Sequence, residues 1–226
     1  MPVFNERNTA ETAIQRVLET DLPVDDWELL VVDDGSTDGT RELLTQTAWP
    51  ARVRILAHRR NQGKGAALVT ALREARGTWT TIMDADLEYD PDDIRQLLLP
   101  LTSGEAQAVF GKRGFKSHSS YSLWYVIGNK AVTLVANALY NSWISDLMTC
   151  HKAMSTTLFR SLELGERGFG IEAEIAARLL RRDIQIHEVP ISYHARSREE
   201  GKKLTASDAV AVLRTLLQCR LKREGR

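Results

Sequence analysis

A chain of 226 residues with 43% hydrophobic content is long enough to bury one sizeable α/β core. Its 30 basic and 30 acidic side chains cancel, which argues against a global electrostatic drive toward nucleic acid. Cys150 and Cys219 stand too far apart in sequence for a disulfide framework or paired metal ligands, and MPVFNERNTAET is no secretory leader, so a cytoplasmic location is expected.

The chain opens with Met1 alone before Pro2, so the first strand of any α/β sheet is expected to be clipped, the start to lie inside a longer gene product, or the strand to be genuinely short. A helix is predicted over Thr9–Thr20. Glu28–Val32 (ELLVV) then reads as a buried strand stopping in the polar turn DDGSTDGT, with a helix over Gly39–Thr47. Val53–Ala57 repeats the pattern and ends in HRRNQGKGAA, followed by a helix over Gly63–Ala75. Trp79–Met83 repeats it again and ends in DADLEYDP. Ala108–Gly111 is a fourth strand leading to KRGFKSHSS. Beyond it, Tyr121–Trp143 reads as one or two amphipathic helices, Glu172–Arg181 as a helix, Gln185–Tyr193 as a strand and Thr205–Lys222 as a terminal helix. Alternating strands and helices predict a mostly parallel sheet flanked by helices, in one α/β domain over residues 1–226. No run of about 18 apolar residues occurs, because Asn129, Lys130, Asn137 and Asn141 interrupt Val126–Ile144, so no spanning helix is expected.

In such a sheet ligands bind at the carboxyl ends of the strands, where the charged loops fall here. Asp84 and Asp86 lie on one side of the backbone at a strand end and can share a cation. Two hard oxygen ligands suit Mg²⁺ or Mn²⁺ held jointly with substrate phosphates, and the acidic Glu88 adds to that reading. Solvated carboxylates capping the helix from Asp92 are the plainer alternative. Asp33-Asp34-Gly35-Ser36 can cap a helix through Ser36, Thr37 or Asp38. Capping does not explain two successive carboxylates, and one at a strand end can accept from a base imide or ribose hydroxyl. Asn61–Gly65 either brings free helix amides and Lys64 to a phosphate or packs tightly through Gly65-Ala66-Ala67. It is no P-loop. Arg113, Arg196, Arg198, Lys202 and Lys203 lie in loops, where cations can stabilise a departing diphosphate or simply meet solvent.

Taken in order, PVFNE, VVDDGSTDGT, NQGKGAA, DADLEYDP, GKR, DLMTCHKAM, GFGIEAEI and EVPISYHARSREEGKKL resemble glycosyltransferase family 2 over almost the whole chain. Within it they are most similar to the polyprenol-phosphate hexose synthases. The resemblance implies a GT-A fold and inverting transfer of a hexose from a nucleotide-diphosphate sugar, of the UDP-glucose or GDP-mannose type, to a polyprenyl phosphate. It divides the domain into a donor half (1–111), an acceptor half (112–204) and a C-terminal amphipathic helix (205–226). Pro2, Phe4, Glu6 and Asp34 would surround the base and ribose, and Lys64, read above from the glycine loop, joins them as a nucleotide-sugar candidate. Asp84, Ala85 and Asp86 would hold nucleotide and metal, with Glu88 as a further metal ligand. Arg113, Arg196 and Lys203 match basic positions near the diphosphate and acceptor phosphate. Asp146 matches an acid of the acceptor loop and is the candidate general base for a hydroxyl acceptor. Gly170 departs from some mannose synthases, which have Lys there.

The aromatics Tyr121, Trp124, Tyr125, Tyr140 and Trp143 and the apolar-plus-basic terminal helix suit peripheral attachment at the inner membrane face, with core or homodimer packing as the alternative. A family 2 enzyme with a soluble acceptor would keep every donor motif. A nucleotidyltransferase would want a glycine-rich basic loop after its first strand, which PVFNERN is not. A non-catalytic nucleotide-binding module would be expected to lose Asp86 and Asp146.

Overall fold

A computed structural model describes residues 1–114, 123–195 and 206–221, and the side chains of all of these except 123–125 and 206–208. Three parallel strands form one sheet in the order β1-β2-β3, with β1 at Pro2–Val3, β2 at Leu29–Asp33 and β3 at Val53–Ala57. β2 is buried along its whole length, as expected for an apolar run covered on both faces. Leu29 pairs with Val53 and Asp33 with Ala57, so the polar turns after β2 and β3 leave the sheet on one side. β1 pairs through Pro2 with Val32 and Val3 with Asp33, which brings PVFNE to the same side.

Helices α1 (Ala10–Glu19) and α2 (Thr40–Gln46) make the crossovers of this sheet, and α3 (Lys64–Glu74) leads to β4 (Trp79–Thr81). A second sheet has the order β4-β6-β5-β7, with β5 at Ala108–Arg113, β6 at Lys152–Ser155 and β7 at Ile186–Ile191. β6 is antiparallel to both β4 and β5, while β5 and β7 are parallel. Among the described residues β4 pairs with β6 alone. A cavity of about 550 Å³ lies there, lined by Leu29 and Leu30 of β2 and by Trp79–Thr81 of β4.

Successive residues of β5 point to opposite faces and serve two apolar cores. Val109 packs with Ile14, Val31, Leu97 and Leu101, the last two from α4 (Ile94–Thr102). Phe110 packs with Ile171 and Ile175 of α7 (Ile171–Arg181), Val132 of α5 (Leu123–Tyr140) and Leu216 of α8 (Ala206–Leu221). The expected elements are present with boundaries shifted by a few residues, and Tyr121–Trp143 yields the single helix α5. The departure is β6 with the short α6 (Thr156–Ser161), which break the parallel pattern. A strand beginning at Lys152 has no apolar alternation to announce it. Lys152 is nonetheless fully buried, because Glu172 of α7 neutralises it at 2.7 Å.

Candidate active site

The strand ends of both sheets open into one cavity of about 330 Å³. Pro2, Phe4 and Glu6 line it from the β1 end, and Asp34 and Lys64 from the β2 and β3 loops. Asp84, Ala85, Asp86 and Glu88 line it after β4, and Arg113 at the end of β5. Asp146 is not among the lining residues, and Arg196 and Lys203 lie outside the described residues, as do Arg198 and Lys202.

The acid that ends β2 and the one that follows it have separate tasks. Asp33 accepts from Arg41 Nε at 2.7 Å and from the Ser36 amide at 3.0 Å, which shapes the turn. Asp34 faces the cavity and accepts from the Gly63 amide at 2.7 Å, the Gln62 amide at 2.9 Å and His58 Nδ1 at 2.6 Å. It therefore fixes the Asn61–Gly63 loop against the β2 end and retains further acceptor capacity, a carboxylate having about four lone-pair positions.

At the start of α3 the packing reading is the one observed. The Gly65 and Ala66 amides donate to Arg167 O at 2.7 and 3.3 Å, so these helix-end donors are already used. A Cβ at Gly65 would stand 2.1 Å from Glu166 O, and one at Gly63, whose φ is +99°, 2.3 Å from Arg167 O. Glycine is required at both positions for close backbone approach. Only the Lys64 side chain of this loop reaches the acids. Its Nζ lies 2.9 Å from Asp84 Oδ2, 2.8 Å from Cys150 Sγ and 3.1 Å from Glu172 Oε1. The last contact pairs charges but is not aligned as a hydrogen bond.

Burial opposes ionisation of Asp84, yet Lys64 and Cys150 outweigh it and hold the carboxyl below its ordinary range. Burial likewise opposes the charge of Lys64, and Asp84, Cys150 and Glu172 more than restore it, so the ammonium is fixed. The Cys150 thiol is driven well up, by burial first and then by Asp84, and stays protonated. Leu87, at φ +63°, turns the chain so that the Glu88 amide donates to Asp86 Oδ1 at 3.0 Å. Glu88 Oε2 accepts from the Tyr193 hydroxyl at 2.6 Å. Among the described residues no three His, Cys, Asp or Glu side chains converge as a ready metal cage. Asp84 and Asp86 do fit a hard cation that takes its remaining oxygens from a bound diphosphate, the usual arrangement for Mg²⁺-type sites.

Arg113 Nε and Nη2 donate to the two oxygens of Asp146 at 2.7 and 2.8 Å, and Asn129 Nδ2 adds a bond of 3.1 Å. Both residues are buried. Burial raises the Asp146 pKa, but the Arg113 bonds bring it below the usual carboxylate range. Both oxygens of Asp146 are thus engaged by Arg113. Arg113 is also 4.9 Å from the Tyr193 ring centre, and Tyr193 in turn is 5.2 Å from Tyr89. The sequence reading missed Tyr89, Cys150, Glu172 and Tyr193, all of which line the cavity. Of these Glu172 alone carried a signal, as an acid inside the apolar start of α7.

Comparison with known proteins bears on this arrangement. The model of the family "Glycosyl transferase family 2" matches residues 1–163. The chain is 26% identical over 196 residues to the glycosyltransferase AglJ of Haloferax volcanii, covering 86% of this chain and 62% of that protein. It is 26% identical over 206 residues to the dolichol-phosphate mannosyltransferase of Pyrococcus furiosus, covering 89% and 57%. The chain thus spans little more than half the length of these relatives. The glucosyl-3-phosphoglycerate synthase of Mycobacterium tuberculosis, solved with Mn²⁺, uridine diphosphate and phosphoglyceric acid, has a TM-score of 0.73 at 24% identity, covering 99% of this chain and 78% of that one. That likeness confirms the GT-A-like α/β fold. With the family model matching well over half of its residues, the chain belongs to glycosyltransferase family 2.

Proposed function

We propose that this chain transfers a hexose from a nucleotide-diphosphate sugar, with Mg²⁺ or Mn²⁺, to an acceptor that bears a phosphate, in the first instance a polyprenyl phosphate. The observation that carries the reading is the convergence of Asp34, directly after β2, and of Asp84 and Asp86, in the loop after β4, on one cavity that also receives Lys64 and Arg113. Asp34 and the residues Pro2, Phe4 and Glu6 flank the base and ribose end. Asp84 and Asp86 face the diphosphate end, where a bound cation would offset the charge that develops on the departing nucleoside diphosphate. The acceptor oxygen attacks the anomeric carbon, and the bond to the diphosphate oxygen breaks with its electron pair leaving on the nucleotide. Arg113, held by Asp146 at the end of β5, is placed to steady a second phosphate. A phosphate monoester brings its own negative oxygen, which agrees with Asp146 being committed to Arg113.

The relatives support both acceptor types, since one is named for dolichol phosphate and another was solved with phosphoglyceric acid. An apolar outer surface on α5 and α8 favours the lipid. Ile127 and Leu134 of α5 are exposed, as are Val210, Leu217 and Leu221 of α8, and Trp143 just beyond α5 is 82% exposed. Tyr140 is instead tied down through its hydroxyl to Leu216 O at 2.7 Å, while the side chains of Tyr121, Trp124 and Tyr125 lie outside the described residues. No described helix is long and apolar enough to cross a membrane, so contact through these faces would be peripheral. The test is transfer from radiolabelled UDP- and GDP-sugars to polyprenyl phosphate or phosphoglyceric acid, with and without chelator. Label in the lipid product, lost with chelator or in Asp86→Ala, is expected. Undiminished transfer by Asp86→Ala in chelator would overturn the metal assignment, and label only in phosphoglyceric acid would overturn the lipid.

A further inference from the structure

We propose that Lys64 is a resident counter-ion that keeps the place of a divalent cation at Asp84 and gives it up when a nucleotide diphosphate arrives, so that the site takes cation and nucleotide together and binds the bare cation poorly. This inference rests on the functional reading above.

The Lys64 side chain is only 11% exposed, and Asp84 and Glu172, its two carboxylate neighbours, are 14% and 3% exposed. In so dry a setting an ammonium 2.9 Å from Asp84 Oδ2 is a strong competitor for any cation seeking the same oxygen. A divalent ion brought there alone would also meet Lys64 as a like charge at close range. Lys64 has a second place to go. Glu172 Oε1 is 3.1 Å from Nζ and makes no aligned hydrogen bond, while the other oxygen of Glu172 is anchored by Lys152 at 2.7 Å. The carboxylate is therefore fixed in space with one oxygen turned toward Lys64. A small rotation about the terminal bonds of Lys64 moves the ammonium from Asp84 toward Glu172.

The charges explain why a nucleotide would trigger the move. Asp84, Lys64, Glu172 and Lys152 alternate in sign and cancel as a set. A bare divalent cation would find Asp86 and Glu88 to offset it, but at Asp84 it would still have to displace the Lys64 ammonium that holds the same oxygen. A cation carrying a diphosphate brings compensating negative oxygens, and Lys64 can pair with one of them while Asp84 turns to the metal. Lys64 is thus a positioning residue that makes metal binding depend on nucleotide.

The test reads Mn²⁺ itself, by the loss of its free-ion electron paramagnetic resonance signal on titration into the protein, with no turnover involved. Wild type is compared with Lys64→Gln and Lys64→Arg, each alone and with saturating UDP or GDP. Wild type alone is expected to bind Mn²⁺ weakly, with about tenfold or greater tightening by the matching nucleotide. Lys64→Gln is expected to bind bare Mn²⁺ about tenfold more tightly than wild type, and Lys64→Arg to keep the wild-type pattern, since removing one close like charge is worth on the order of a tenfold change. Bare Mn²⁺ binding by Lys64→Gln no tighter than by wild type overturns the proposal. If Lys64→Gln does not fold, Lys64→Met takes its place in the same comparison of bare Mn²⁺ with wild type, and the nucleotide titrations are read against Mn²⁺–nucleotide mixtures without protein. Failure of both nucleotides to bind anywhere sinks the donor reading instead, and the comparison of bare Mn²⁺ between wild type and Lys64→Gln still settles the role of Lys64.

Discussion

Replacing Lys152 by Met tests whether the interior charge chain supports the site. The Lys152 ammonium is fully buried and bonds Glu172 Oε2 at 2.7 Å, Leu147 O at 3.2 Å and Thr149 O, while lying 4.7 Å from the centre of the Phe110 ring. Methionine fills nearly the same space, so a cavity contributes little. What is lost is the charge partner of a carboxylate that is itself buried, and removing one member of a buried pair costs about 3–5 kcal/mol. Glu172 retains Lys64 at 3.1 Å, which argues for the lower half of that range. At roughly 2–4 °C per kcal/mol for a chain of this size, the melting temperature should fall by about 6–15 °C in calorimetry or dye-monitored melting. Adding Glu172→Gln to Lys152→Met should recover part of the loss, because the uncompensated charge is then gone. A fall of less than about 2 °C, or a double variant less stable than the sum of the two single changes, would refute the view that Lys152 is buried by virtue of Glu172.

Gly65→Ala places a methyl 2.1 Å from the Glu166 carbonyl, so it should cost several kcal/mol and most of the soluble yield, whereas Gly104→Ala, at φ +77° with nothing within 4 Å, should cost only about 1 kcal/mol; chemical denaturation of both variants checks the contrast. His151 is fully buried, and burial lowers its pKa despite the Ile82 and Asp90 carbonyls at its ring nitrogens. The unfolded chain therefore takes up this proton first, near the ordinary value of about 6.5, and stability should fall as pH drops from there toward the folded pKa. Melting curves between pH 7.5 and 5.5 should show the decline, and His151→Gln should flatten it. Leu134, 63% exposed, and Leu217, 48% exposed, face outward beside Lys130, Arg214 and Arg220. Co-sedimentation with anionic vesicles at low salt should drop several-fold in Leu134→Asp/Leu217→Asp, each basic residue near a charged surface being worth about 1 kcal/mol. No vesicle binding together with concentration-dependent dimerisation would assign this face to a second copy.

The strand ends were legible because the signal is local. An apolar run such as ELLVV or WTTIM stops at a carboxylate, and sheet geometry sends every such stop to the same rim. The antiparallel β6 was not legible, since its leading residue is a lysine whose burial depends on a glutamate 20 positions later. For Asn61–Gly65 the sequence admits both a phosphate cradle and a packed helix start. Only the fold brings the Arg167 carbonyl, about a hundred residues on, to the Gly65 amide. Asp146 shows the same limit: nothing near it in sequence announces that both of its oxygens are taken by Arg113. Local pattern thus locates acids and bases, whereas long-range pairing decides which of them are committed. On the functional reading proposed here this has a chemical consequence. Asp84 and Arg113, which sit where a diphosphate would lie, each carry an opposite charge supplied by distant residues, Lys64 and Asp146. Much of the local charge at the rim is therefore already offset before any ligand arrives. Selectivity for a nucleotide diphosphate then comes from how readily those pairs rearrange around it, more than from an excess of positive charge waiting in the cavity.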